Sequence, residues 1–175
     1  MSLTGLISPV ATDPAISAAV EAARASVARP LDLTAPKAVQ PFAVAALAAS
    51  EDHGGADRPV LAVTATGREA EDLTAMLQSL LGDPTAVAYY PAWETLPHER
   101  LSPRSDTVGR RLAVLRRLVH PTAEAPRPKV VVAPVRSVLQ PQVKGLADLE
   151  PVSLHVGDSI DLEELVRRLA AAAYH

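Results

Sequence analysis

Short apolar runs alternate with amphipathic stretches through the middle of the chain. Runs of strand length occupy residues 59–66, 85–90 and 129–133. Between them, residues 67–81 and 108–119 carry apolar side chains at the 3.6-residue period of a helix. Alternating strands and helices are typical of βαβ units. The pattern predicts an α/β fold with a mostly parallel sheet flanked by helices, in which residues 59–66 are buried on both faces.

The two amphipathic stretches each have an apolar stripe that we predict to face the core. In residues 67–81 the stripe consists of Ala70, Leu73, Leu77 and Leu80. In residues 108–119 it consists of Val108, Leu112, Leu115 and Val119, with Arg110 and Arg117 on the opposite side and Arg111 and Arg116 flanking. Both helices are therefore expected to bury leucines and to expose charges.

The chain divides into three predicted regions. Residues 1–30 form an N-terminal helical segment, because residues 15–28 are rich in alanine and Pro30 follows them. Residues 31–140 form the α/β subdomain, beginning with a short strand at residues 31–33 and a helix at residues 39–49. Residues 141–175 are expected to be the incomplete start of a second, α+β subdomain. That region holds a strand at residues 152–156 and a helix at residues 160–173, with Asp161 as its N-cap.

A phosphate-binding loop would be expected between the strand at residues 31–33 and the helix at residues 39–49. The motif requires Gly-Lys followed by Ser or Thr, and the chain has no Gly-Lys pair. When residues 35–41 are matched to the phosphate loop of the proteins that this chain resembles, as described below, Val39 stands where the lysine belongs and Gln40 where the Mg²⁺-binding hydroxyl belongs. Pro36 and Pro41 lack the N–H groups that a phosphate needs, and Lys37 is out of position. We therefore expect no bound cofactor.

Composition narrows the class of protein. The chain has 175 residues, of which 48% are hydrophobic, and its net charge is -3. These values indicate a soluble globular chain and argue against a dedicated nucleic-acid binder. It has no cysteine, which fits the cytoplasm. No apolar run is long enough to predict a membrane span. The five histidines show no metal-binding spacing, and no nucleophile or oxyanion motif predicts catalysis.

Residues 89–117 have an unusual composition, with the chain's single Trp, two of its three Tyr and several arginines. The order of residues in this stretch resembles the N-terminal region of the bacterial transcription-repair coupling factor (Mfd) family, and more distantly the UvrB excision-repair protein. The matching residues are Trp93, Glu94, Thr95, Leu96, Pro97, Ser102, Pro103 and Asp106. UvrB is also matched by Ser105-Asp106-Thr107.

The resemblance implies a fold and a function. It implies a partial RecA/UvrB domain 1-like subdomain with a degenerate phosphate loop, in a truncated fragment of a longer protein. The parent would be an ATP-dependent DNA translocase that displaces stalled RNA polymerase and recruits UvrA for nucleotide excision repair. ATP and Mg²⁺ would act in its C-terminal motor, and other domains would bind DNA. The fragment itself is expected to be non-catalytic, with weak or no partner binding of its own.

Two alternatives are open, one for residues 89–117, which we call the signature stretch, and one for the whole chain. The aromatic residues could close the edge of the sheet, in which case their role is structural rather than a contact with a partner. The chain could also be a stand-alone α/β nucleotide-binding protein or a small enzyme, since fold alone does not fix function. We further expect at most weak, sequence-independent DNA contact from the local basic residues. These are Arg104, Arg110, Arg111, Arg116 and Arg117.

Overall fold

The computed structural model describes residues 3–26, 30–95, 102–142, 152 and 154–171. Its main helices and strands, in chain order, are α1 (Ile7–Ala11), α2 (Pro14–Arg24), α3 (Gln40–Ala48), β1 (Val60–Thr64), α4 (Gly67–Leu81), β2 (Val87–Tyr89), α5 (Ser105–Val119), β3 (Val130–Pro134), α6 (Val135–Leu139) and α7 (Leu162–Ala171). The chain forms two compact units, Met1–Gln140 and Pro141–His175.

The sheet of the first unit has three parallel strands in the order β1-β3-β2. Val130 of β3 lies beside Val60 of β1 on one side and beside Val87 of β2 on the other. The central strand is therefore the last of the three in sequence. The connection from β1 to β2 contains α4, and the connection from β2 to β3 contains α5. The predicted α/β class, with a parallel sheet flanked by helices, is confirmed.

One face of the sheet holds the main hydrophobic core. Ala62, Val87, Val130 and Val132 lie on this face and are buried with side chains of α3 and α4. Helix α4 has the predicted bounds, and its inner stripe is Ala70, Thr74, Leu77 and Leu80, with Leu73 half-buried. Thr66 caps its N-terminus by accepting a hydrogen bond from Glu69 N. Gly82, in the left-handed region with φ of 69°, ends it.

The prediction that β1 is buried on both faces is wrong. Ala62 is buried, but its neighbours Leu61 and Val63 are 57% and 49% exposed. Consecutive side chains of a strand point to opposite faces, so these two share the face opposite Ala62. Strand β1 stands at the edge of the sheet, and the face that holds Leu61 and Val63 is open to solvent at these two positions. The continuous apolar run therefore reflects strand propensity more than two-sided burial.

Helix α5 does not bury its predicted stripe. Its buried residues are Thr107, Arg111 and Val114, while Leu112 and Val119 are 44% and 43% exposed. Positions 107, 111 and 114 also follow a helical period, so the helix is rotated relative to the prediction. The cause is Arg111, whose guanidinium group occupies the interior position that the pattern assigned to leucine.

The N-terminal helices pack on α3. Asp13 caps α2, accepting hydrogen bonds from Ala15 N and Ile16 N, and Ile16 and Val20 are buried against α3 residues. This satisfies the helix N-terminus and anchors an alanine-rich helix through a few larger side chains. The predicted strand at residues 31–33 is wrong, because the structure shows no strand there and its two leucines are exposed. Two leucines around one aspartate give too little apolar surface to fix a strand.

The second unit is described at residue 152 and residues 154–171. Asp161 is the N-cap of α7, accepting hydrogen bonds from Glu163 N at 2.8 Å and Glu164 N at 3.2 Å, as predicted. The predicted strand at residues 152–156 is wrong at each described position, where the backbone is irregular and then turns at Gly157, whose φ is 98°. Within the described part of the chain, no helix is both long and apolar enough to cross a membrane.

Candidate functional site

The signature stretch begins where β2 ends, at the carboxyl edge of the parallel sheet. Tyr90 N donates a hydrogen bond to Val132 O at 2.8 Å, which carries the pairing one residue beyond β2. Pro91 is buried and Trp93 is half-buried. Ligand sites of open α/β sheets lie at this edge, so the segment has the location of a functional site. Leu96 and Pro97, predicted as part of it, lie outside the described residues.

Arg111 of α5 is the centre of this region. Its side chain is 1% exposed, and its Cζ lies 4.2 Å from the ring centroid of Tyr90 and 4.3 Å from that of Trp93. Both distances are within the range of a cation–π interaction. Nη1 donates hydrogen bonds to Pro91 O at 2.6 Å and to Ser137 Oγ at 3.4 Å. We call these five residues the arginine junction.

Ser137 and one further residue, Gln140, fasten the chain around the junction. Ser137 Oγ donates to Tyr90 O at 2.9 Å. The side chain of Gln140 pairs with the backbone of Trp93, accepting from its N at 2.7 Å and donating to its O at 3.3 Å. These contacts join positions 47 residues apart in sequence. They hold the segment after β2 against the segment after β3, so the junction acts as a clamp on the sheet's carboxyl edge.

Glu94 and Thr107 form a hydrogen bond beside the junction. Thr107 is buried and its hydroxyl donates to the Glu94 carboxylate. This bond stabilises the charged form and is the main cause that lowers the pKa of Glu94 below its ordinary value. The contact fixes the residue after Trp93 to the first turn of α5. Glu94 therefore has a positioning role. Among the described residues, it has no acid–base partner.

Burial changes the titration of the junction itself. Removal from water lowers the pKa of Arg111 and raises the pKa of Tyr90, in each case because the charged form is disfavoured. Arg111 nonetheless keeps its charge at neutral pH, since the ordinary pKa of an arginine lies far above 7. The junction therefore contains a buried cation held by two aromatic faces and backbone and hydroxyl oxygens.

The five arginines do not form one basic surface. Arg111 is buried, which argues against the predicted phosphate contact, and Arg117 donates hydrogen bonds to the backbone oxygens of Pro126 and Thr85. Arg110 is exposed and pairs with Asp106 at 3.0 Å. Arg104 and Arg116 are exposed. Two arginines thus serve the fold, which leaves a smaller exposed positive charge than the sequence predicts.

Residues 35–41, predicted to be a degenerate phosphate loop, lead into a short 3₁₀ turn and the start of α3. Val39 ends a short 3₁₀ turn and Gln40 begins α3. Lys37 Nζ lies 2.5 Å from Glu69 Oε1 of α4. This pairing is the main cause that lowers the pKa of Glu69. Among the described residues, no group of three or more His, Cys, Asp or Glu side chains could hold a metal.

Sequence reasoning missed the internal partners of the signature stretch. Thr107, Arg111 and Val114 follow a helical stripe, which was a usable signal, but a buried arginine within it is unusual without a carboxylate. Ser137 and Gln140 carry no sequence signal, because their partners are backbone groups distant along the chain. Ser102 and Pro103 lie in the irregular segment before α5, and Thr95 follows Glu94 outside any regular element.

Comparison with known proteins bears on the signature stretch. No family model matches the chain. Two curated proteins, each named transcription-repair-coupling factor, are 55% identical to it over 118 residues, which is 66% of the chain. They come from Mycobacterium bovis (strain ATCC BAA-935 / AF2122/97) and Mycobacterium tuberculosis (strain CDC 1551 / Oshkosh). The match spans 9% of their length. The resemblance of this chain to the transcription-repair coupling factor family is thereby confirmed.

Proposed function

We propose that this chain is a non-catalytic module of a transcription-repair coupling factor, which links stalled RNA polymerase to nucleotide excision repair. The observation that carries the proposal is its 55% identity over 118 residues to two proteins of that name. Because the match spans 9% of those proteins, the coupling activity is assigned to a longer protein of which this module is one part. The parent is proposed to be an ATP-dependent DNA translocase.

A chimaera tests this proposal directly. The matching residues of the Mycobacterium tuberculosis factor are replaced by those of this chain, and transcription-coupled repair is measured with purified components. We expect the chimaera to retain repair, because 55% identity normally preserves the core and its surfaces. The ATPase rate of the chimaera serves as the folding control for the remaining domains. Loss of repair with an unchanged ATPase rate would show that the module does not have the proposed role.

The absence of catalysis is proposed from the degenerate phosphate-loop position. Lys37 is held by Glu69, and the backbone at Val39 and Gln40 is already committed to a 3₁₀ turn and to α3. At this position, no lysine of the described residues is therefore free to neutralise a triphosphate. Isothermal calorimetry with ATP and Mg²⁺ should give no heat of binding. A micromolar site that ADP competes for would contradict the proposal and favour a nucleotide-binding enzyme instead.

Weak DNA binding is proposed for the exposed arginines. Arg110 is already paired with Asp106, and the whole chain carries a net charge of -3. Phosphate contacts through a few arginines release few counterions, so the affinity should fall to an undetectable level by physiological salt. Fluorescence anisotropy with a labelled duplex at 20 and 150 mM NaCl measures this. A complex that survives 150 mM and prefers damaged DNA would overturn it.

UvrA recruitment is proposed for the parent, with a weak contribution from this chain. The described part of Pro141–His175 contains one helix of ten residues, α7. A stable interface needs about 800 Å² per partner with aromatic or arginine anchors, more than such a helix supplies. A titration of UvrA should show much weaker binding to this chain than to the full-length mycobacterial factor. Equal affinities would place the UvrA-binding surface within this chain.

A further inference from the structure

The guanidinium group of Arg111 uses one of its two edges. Nη1 donates to Pro91 O and Ser137 Oγ. Nε and Nη2 are buried and have no hydrogen-bond partner among the described residues. These two nitrogens lie side by side on one edge of the planar group, and their N–H bonds point the same way. That edge is the fork with which arginine binds two oxygens of one group at once.

The surroundings of the fork favour an anion. Burying a cation costs free energy unless a negative charge or several acceptors compensate it. The carboxylate nearest in sequence to the two aromatic rings is that of Glu94, and it already accepts a hydrogen bond from Thr107. Burial lowers the pKa of Arg111, and the Tyr90 side chain opposes that shift. Other structural arginines of the chain differ. Arg24 directs both Nε and Nη2 to Gly55 O, and Arg117 directs Nε to Pro126 O and Nη2 to Thr85 O.

The shape of the site selects a planar group. Tyr90 and Trp93 both lie against the guanidinium, with their ring centroids 4.2 Å and 4.3 Å from Cζ. An oxyanion bound side-on to the fork lies in the plane of the guanidinium. A carboxylate is planar and adds no atoms outside that plane. A phosphate is tetrahedral, and its out-of-plane oxygens would press on the rings.

We propose that the Nε and Nη2 edge of Arg111, beside Tyr90 and Trp93, is a binding site for a carboxylate group. The carboxylate supplies the negative charge that the junction lacks and two acceptors for the two free donors. Both donors are shielded from solvent, so the group enters by local opening of the junction. Binding then closes the clamp between the segments after β2 and β3, and stabilises the first unit.

Nuclear magnetic resonance of the arginine Nε–Hε groups tests the site, with sodium formate as the probe. The chain is labelled with ¹⁵N and titrated with formate, and with chloride and phosphate at matched ionic strength. We expect the Arg111 signal to move saturably with formate and to move little with the other two anions. The Arg117 signal is the internal control, because its Nε already donates to Pro126 O at 2.8 Å. The variant R111K assigns the Arg111 signal.

Thermal unfolding gives a second, independent readout. Saturating formate should raise the melting temperature of the wild-type chain by roughly 3–6 °C over chloride, and should leave R111M unchanged. Three results would overturn the proposal: an Arg111 signal that formate does not move, an equal response to chloride or phosphate, or a formate effect that persists in R111M. The wild-type titration decides the question even if the variants fold poorly.

Discussion

Helices α4 and α5 have the same length and a similar place in the chain, yet one follows its sequence pattern and the other does not. Each has 15 residues and connects parallel strands. In α4 the predicted apolar stripe is largely the buried one, with Leu77 fully buried. In α5 the predicted stripe is half exposed, and Arg111 occupies the interior. The comparison shows that the hydrophobic period predicts the buried face of α4 but does not predict the buried face of α5.

The difference comes from the partners of each helix. Helix α4 packs on the apolar side chains of all three strands, so the gain in free energy from burying area fixes its rotation. Helix α5 meets two aromatic faces, a backbone oxygen and a serine hydroxyl, which together suit a planar cation. An arginine that finds such partners outcompetes a leucine for the interior position. Periodicity cannot report this, because the partners lie far away in sequence.

Truncating one leucine in each helix should give the largest difference in unfolding free energy between the two helices. Leu77→Ala leaves a cavity in the core and should lower the free energy of unfolding by about 3 kcal/mol. Leu112→Ala, at a position 44% exposed, should lower it by less than about 1 kcal/mol, since alanine also favours a helix. Urea denaturation at pH 7 measures both. Equal losses of unfolding free energy would mean that Leu112 is buried like Leu77, which would contradict the observed rotation of α5.

The charge and the shape of Arg111 can be separated by two substitutions. Arg111→Lys keeps a buried cation but loses the planar stack and the fixed fork, so it should cost about 2 kcal/mol of unfolding free energy. Arg111→Met removes the charge at similar volume and should cost less than about 1 kcal/mol. Urea denaturation in chloride buffer compares them. If Arg111→Lys lowers the unfolding free energy less than Arg111→Met does, the aromatic stack contributes little and the positive charge alone stabilises the junction.

The serine of the junction offers a smaller and sharper test. Ser137→Ala removes the hydroxyl that donates to Tyr90 O and accepts from Arg111, and should lower the unfolding free energy by about 1–2 kcal/mol. Ser79→Ala in α4 is the matched control, because its hydroxyl bonds to Ala75 O on an exposed helix face. That change should be close to neutral. Similar small effects at both positions would mean that the clamp between β2 and β3 contributes little stability.

The sequence predicted what depends on local pattern. The α/β class, the bounds of α4 and the cap at Asp161 follow from periodicity and capping chemistry, and the structure has them. The strands at residues 31–33 and 152–156 were predicted wrongly, because short apolar runs do not show whether a neighbouring strand exists to pair with. The arginine junction could not be assembled in advance, since it joins three segments through contacts that no periodicity encodes.

The weakest of these effects concerns Lys37, which the sequence places out of position for a phosphate loop and which the structure shows in an exposed pair with Glu69. Lys37 lowers the pKa of Glu69 from its ordinary value of 4.5, so the pair stabilises the fold while Glu69 is ionised. That contribution is complete above about pH 5.5 and is lost as the pH falls through the lower pKa of the folded state.

Lys37→Met should therefore lower the urea midpoint slightly at pH 7, and the gap from wild type should close as the pH falls below 4.5. Because the pair is solvent-exposed, 0.5 M NaCl should reduce the gap at every pH. Glu69→Gln in the Lys37→Met background is the control, and should add no further pH-dependent change. A gap that persists at pH 3 would show that Lys37 stabilises α3 and α4 by packing rather than by its charge.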